Sequence, residues 1–173
     1  MEALKRVSPE KVGIHSQCIV DFIRQVRAEG IELHSLMILR HGKVCEEAWW
    51  KPYDSGTPQT MFSFSKSITS TAVGFAVQEG LLSLDEKLVD LFPNETPENP
   101  GENVKAADVY SLLTMSCGQE SDIYYKLKSY DHWIHDFMHA EFKYKPGTMF
   151  QYNSTGTDML CAIIKKKTGL NVS

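Results

Sequence analysis

The stretch that most constrains this chain runs from Thr60 to Gly80 and reads TMFSFSKSITSTAVGFAVQEG. Phe64, Ile68, Ala72, Phe75 and Ala76 recur at helical spacing, Val73 and Val77 lie on the flank, and Gly80 follows as a C′ stop. The rest of the fold is therefore expected to be organised around one apolar helix. At the front of that helix stand Ser63 and Lys66, three residues apart and so on one face. The positive end of the helix dipole disfavours a cation there, and burial would disfavour it further. A lysine that can lose its proton beside a serine hydroxyl is a candidate base for activating that serine.

The remaining composition narrows the setting. A chain of 173 residues suits one domain with a real core better than two. Its net charge of −4 argues against nucleic acid or an anionic membrane as the main partner. The cluster Lys165, Lys166, Lys167 reads as the solvated last turn of a helix, where cations are favoured. The opening MEALKRVSPEKVGI lacks the apolar core of a secretory signal, and no run reaches the length of a membrane span. Cys18, Cys45, Cys117 and Cys161 are scattered, with no Cys-x-x-Cys pair. They are expected to be reduced, mostly buried small hydrophobes of a cytoplasmic protein. His132, His135 and His139 share a spacing that lines one helix face, but no His-Glu-x-x-His accompanies them, so they read as helix surface. No metal or cofactor is called for.

In chain order, Ser8-Pro9 starts a turn or short helix, and Ile19, Phe22, Ile23 and Val26 mark an amphipathic helix ending at Gly30. Two strand-like runs, Ser35 to Arg40 and Lys43 to Trp50, flank His41-Gly42 and predict a tight hairpin. These are the only strands evident, so the N-terminal helix and the central helix are expected to cover them. Ser83-Leu84-Asp85-Glu86 reads as a capping box opening a short helix before Pro93. Further helices are expected over Ala106 to Met115, Asp131 to Ala140 and Ser154 to Lys167, the last stopped by Gly169 after a turn at Lys145-Pro146-Gly147. Ser121-Asp122-Ile123 reads as loop. The whole is an α+β chain, treated as one domain over residues 1–173, with helix and hairpin over 1–59 and the helical part over 60–173.

A bare Ser-x-x-Lys is weak evidence. With fifteen serines and fourteen lysines about one such pair arises by chance, and Ser8 with Lys11 is a second, explained as a cap and a solvated lysine. The neighbours of Ser63 say more. FSFSKSITSTAVGFAVQEGLLSLDEKLVDLFP resembles the first active-site block of the penicillin-recognising serine hydrolases, the family of class C β-lactamases, DD-peptidases and related esterases. VYSLLTMSCG resembles that family's Leu-Leu-Thr-x-x-Ser-Gly block, and PGTMFQYNSTGTDMLCAIIKKKTG resembles its Pro-Gly…Phe-x-Tyr-x-Asn block, all in the family order. The resemblance covers the chain from Ser8 onward. It implies a β-lactamase/transpeptidase-like fold, with Ser63 as nucleophile, Lys66 as its partner base and Tyr152 as the tyrosine that relays protons to the leaving group.

Two departures bear on function. Ser154 stands where the family has asparagine; as a substrate-binding residue it donates a hydrogen bond but reaches less far, which fits an esterase or amidase better than a dedicated β-lactamase. The family's third element, a strand bearing Lys-Thr-Gly or His-x-Gly, has no counterpart, since Lys167-Thr168-Gly169 lies at a helix end. The chain is thus expected to be an N-terminal portion of a serine hydrolase, lacking the C-terminal sheet strands and impaired in turnover. Its expected partner is a small ester, amide or β-lactam. The alternatives are a non-catalytic binding or sensor module of the same fold, and a piece that self-associates through an exposed sheet edge.

Overall fold

A computed structural model describes residues 3–127 and 131–172. The chain divides into two compact units, Met1–Thr60 and Met61–Ser173. The first opens with a 3₁₀ turn, Pro9–Val12, entered from Ser8 with proline in first position; the Ser8 hydroxyl itself makes no capping bond. Helix α1, Ser16–Ala28, follows, and Gly30 turns the chain out of it at φ +68°. Strands β1 (Ser35–Arg40) and β2 (Lys43–Trp49) then pair antiparallel. His41 and Gly42 both take positive φ (52° and 68°), which is the two-residue turn whose twist matches the strands it joins. Ile38 pairs with Glu46 and Leu39 with Val44, so Cys45 bulges out of the ladder.

On the outer side of β2 the backbone around Arg6 adds a short parallel bridge to Val44, and the Arg6 guanidinium grips Glu47 at 2.7 and 3.0 Å. Among the described residues the outer edge of β1 has no partner strand. Val12, Ile19, Val44 and Cys45 are the buried apolar residues of this unit.

The second unit is helical and holds the main core. Its helices are α2 (Ser65–Gln78), α3 (Leu88–Leu91), α4 (Glu102–Ala106), α5 (Val109–Leu113), α6 (Trp133–His139) and α7 (Ser154–Thr168). α7 packs against both α2 and α5. Val73, Leu88, Val109, Phe137, Met138, Met159 and Ile163 are almost wholly shielded from solvent and form one continuous cluster. Burial of such side chains contributes about 1.5–3 kcal/mol each. Gly80 (φ +71°) and Gly169 (φ +75°) end α2 and α7 in the left-handed conformation expected of a C′ glycine.

The buried face of α2 is only part of the apolar stripe its sequence carries. Thr69, Val73 and Ala76 face the core, whereas Phe64, Ile68 and Phe75 are exposed. Apolar residues run round most of this helix, and spacing alone cannot say which side α7 takes. The turn at Ser83 to Glu86 also differs from expectation. Glu86 does accept the Ser83 N–H at 2.8 Å, but α3 starts only at Leu88, so this half of a capping box closes a free-standing turn. The true box belongs to α5. Asp108 accepts from the Ser111 N–H and donates its own N–H to the Ser111 hydroxyl, both at 3.0 Å, which starts α5 later than Ala106.

Lys87 ties this cap to the turn before α3, reaching Asp108 at 2.8 Å and the Ala106 carbonyl at 3.0 Å. The lysines ending α7 are not simply solvated: Lys166 donates to the Leu91 carbonyl, and Lys167 pairs with Glu86 at 2.6 Å. Cys18 is exposed and Cys161 half-buried; Cys45 and Cys117 are buried, and all four are free thiols. Among the described residues no helix is long and apolar enough to cross a membrane.

Candidate active site

Ser63 does not lie in α2 itself. It sits in a 3₁₀ turn, Phe62–Phe64, that leads into the helix, closed by the Phe64 N–H on the Met61 carbonyl at 2.9 Å. Phe62 takes φ +43°, in the left-handed region that a bulky residue seldom occupies. Strain of this kind gathers at functional sites, where neighbouring structure holds it in place. The kink exposes Ser63 at the helix entrance, and Lys66 follows in the first turn of α2, half-buried. Its amine lies 3.5 Å from the Ser63 Oγ.

Tyr152 reaches the same point from the other end of the unit. The segment Leu112–Gly118 holds its approach: the Met115 carbonyl accepts the Gln151 N–H and the Ser116 carbonyl accepts the Gly147 N–H, each at 2.8 Å. Gly118 closes that segment at φ +107°, against the Tyr144 carbonyl, where a Cβ would collide. The residues after Tyr152 are pinned as firmly. Asn153 is buried and caps α7, accepting the Gly156 N–H at 2.7 Å while its amide donates to Gln119 at 2.8 Å. With Asn153 turned inward, Tyr152 is left outward.

The hydroxyls of Ser63 and Tyr152 stand 2.6 Å apart, and the Lys66 amine lies 5.1 Å from the centre of the tyrosine ring. The structure thus brings together Ser63, Lys66 and Tyr152, the last drawn in from 89 residues along the chain. The Tyr152 phenol is held below its ordinary range, first by the hydrogen bond with Ser63 and then by Lys66, with slight desolvation opposing. A phenol so placed can exchange a proton with the serine hydroxyl directly. Ser154 is half-buried at the first position of α7, and its hydroxyl makes no hydrogen bond among the described residues.

Sequence reasoning missed Asp122. Read as loop, it is the anchor of this site. Its carboxylate accepts the Ser154 N–H (2.5 Å), the Thr155 N–H (3.3 Å), the Thr155 hydroxyl (2.6 Å) and the Tyr124 N–H (3.0 Å). Desolvation pushes the carboxyl up, but the Thr155 hydroxyl and the backbone donors outweigh it and leave the group below its usual range. An acceptor at the N-terminus of α7 also suits the helix dipole. Asp122 therefore fixes the two residues that follow Asn153. No local signal announced this role, because the partners on α7 lie over thirty residues away.

A family model described as beta-lactamase matches residues 19–172. The chain belongs to the beta-lactamase family. Curated relatives include a probable fimbrial assembly protein FimD, serogroup H1, of Dichelobacter nodosus, 28% identical over 86% of this chain and 42% of its own length. The octameric penicillin-binding protein homologue of Pyrococcus abyssi is 27% identical, with a TM-score of 0.69 over 92% of this chain and 40% of that one. A class C beta-lactamase in complex with cefoxitin shares the fold at TM-score 0.71 and 21% identity, over 91% of this chain and 46% of that one. The chain thus has an α+β, partial β-lactamase fold, seven helices and one hairpin among the described residues, and spans less than half the length of these family members.

Proposed function

We propose that this β-lactamase family chain carries the acylation machinery of a serine hydrolase, with Ser63 as nucleophile and Lys66 and Tyr152 moving its proton. The observation that carries the reading is the 2.6 Å contact between the Ser63 and Tyr152 hydroxyls, with the Lys66 amine 3.5 Å from the same serine oxygen. A nucleophile within hydrogen-bond reach of a base that is itself oriented by a third group is the arrangement covalent catalysis needs. The substrate is a small ester, amide or β-lactam. Ser154, with its uncommitted hydroxyl at the start of α7, is assigned to substrate contact.

Turnover by this chain alone is expected to be poor. The family resemblance gives one oxyanion donor to the nucleophile's own amide and the other to a strand bearing Lys-Thr-Gly or His-x-Gly. Neither β1 nor β2 carries such a tripeptide, and Lys167-Thr168-Gly169 ends α7. Missing one donor of this kind costs about 10²–10³-fold in turnover. With 4-nitrophenyl acetate we expect one equivalent of nitrophenol per chain in a burst, then slow steady release. Fast steady turnover would contradict the incomplete oxyanion hole, and no burst above the Ser63→Ala background would contradict the hydrolase reading.

A further inference from the structure

His132, His135 and His139 share a helix face by spacing, yet the structure treats them differently. His135 and His139, one turn apart on α6, bring their rings together: the centroids are 3.7 Å apart and the planes 20° from parallel. His132 stands just before the helix, and among the described residues no three metal-ligating side chains converge. Both rings of the pair are exposed, so packing against the core does not account for their contact. Each ring also has an oxygen near its Nδ1. The His139 Nδ1 lies 2.9 Å from the His135 carbonyl, and since a carbonyl only accepts, that nitrogen donates. The Asp136 carboxylate stands 3.6 Å from the His135 Nδ1. Neither Nε2 makes a hydrogen bond or ion pair among the described residues.

We propose that His135 and His139 chelate one divalent transition-metal ion through their Nε2 atoms, at a surface site that shares no residue with Ser63, Lys66 and Tyr152. Two histidines at i and i+4 are the spacing at which a helix presents both imidazoles to a single ion. A ligating histidine gives its second ring nitrogen to a carbonyl or carboxylate, which orients the ring and leaves the other nitrogen to the metal. The His135 carbonyl and the Asp136 carboxylate occupy those outer positions here. Imidazole selects zinc, nickel or copper over magnesium and calcium, which prefer oxygen ligands. Zinc–nitrogen bonds of about 2.0–2.1 Å require the two Nε2 atoms to converge. Exposed rings already in contact reach that by small rotations of their side chains. Water takes the remaining positions. Because the rings are neighbours only while α6 is helical, metal binding and the folding of α6 reinforce one another.

The test titrates the full chain with Zn²⁺ by calorimetry at pH 7.5, with Mg²⁺ as control. All chains carry Cys18→Ser, which removes the exposed thiol as a competing ligand. One equivalent of Zn²⁺ is expected to bind the parent chain. His135→Ala and His139→Ala should each weaken that binding about tenfold or more, because a single imidazole has lost the chelate. His132→Ala should leave it unchanged. Alanine favours helix, so these exposed substitutions keep the fold. The melting temperature should rise with Zn²⁺ in the parent chain and in His132→Ala, and stay level in either variant of the pair. Zn²⁺ affinity that survives both single variants of the pair, or that falls as far in His132→Ala, overturns the proposal. So does a parent chain that binds Zn²⁺ no better than Mg²⁺.

Discussion

Replacing Tyr152 with phenylalanine is expected to slow acylation of Ser63 by about 10²–10⁴-fold, the range a positioned general base contributes. The phenol oxygen is the nearest polar side-chain atom to the Ser63 hydroxyl, at 2.6 Å, while the Lys66 amine is farther, at 3.5 Å. Tyr152 is 45% exposed and its ring is not part of the core cluster, so the substitution removes the oxygen without opening a cavity. Loss of rate with an unchanged melting temperature is therefore the expected pair of results.

The pH dependence follows from the same contacts. A phenol held below its ordinary value becomes phenolate at lower pH than a free tyrosine, whose midpoint is about 10. Acylation should rise with pH through a midpoint on the acid side of that value, and this limb should vanish in Tyr152→Phe. Timed intact-mass measurements across pH give both numbers. An unaltered rate in Tyr152→Phe would remove tyrosine from the chemistry and leave Lys66 alone as base.

The second large effect is expected at Asp122. One carboxylate there satisfies three backbone N–H groups and the Thr155 hydroxyl, so Asp122→Ala strands donors at the N-terminus of α7. Leaving such groups unsatisfied costs on the order of 2–3 kcal/mol. The sign with pH is set by a folded-state carboxyl lying below its unfolded value. Its contribution is fully present above the unfolded carboxylate range, near 4, and is lost as pH falls through the lower folded value. Chemical denaturation of wild type should therefore show stability declining below about pH 4, with a shallower decline in Asp122→Asn. Because Asp122 fixes the residues just after Tyr152, the alanine variant should also acylate more slowly. Equal stability and equal acylation in the variant would mean that the loop, not the carboxylate, holds α7.

How much of this was readable beforehand depended on whether the physics was local. The hairpin announced itself through His41-Gly42, because a two-residue turn needs positive φ at adjacent positions. Gly80 and Gly169 announced the ends of α2 and α7 for a similar reason. Ser63 and Lys66 could be picked out as an unusual pair on an apolar helix. Tyr152 came only through family resemblance, since nothing in local spacing links it to a serine 89 residues earlier. Which face of α2 is buried and the anchoring by Asp122 are both set by the packing of α7. Tertiary contacts of that kind leave no periodic trace in either partner.

The central claim is that Ser63 is an activated nucleophile in this chain. Its most direct test is intact-mass analysis after exposure to a fluorophosphonate and, separately, to a fluorescent penicillin, with Ser63→Ala alongside. One phosphonyl adduct per chain is expected, mapped to Ser63 and absent from Ser63→Ala, with the penicillin arm reporting whether β-lactams are accepted. An unmodified mass with the fluorophosphonate, or an adduct that persists in Ser63→Ala, would contradict it.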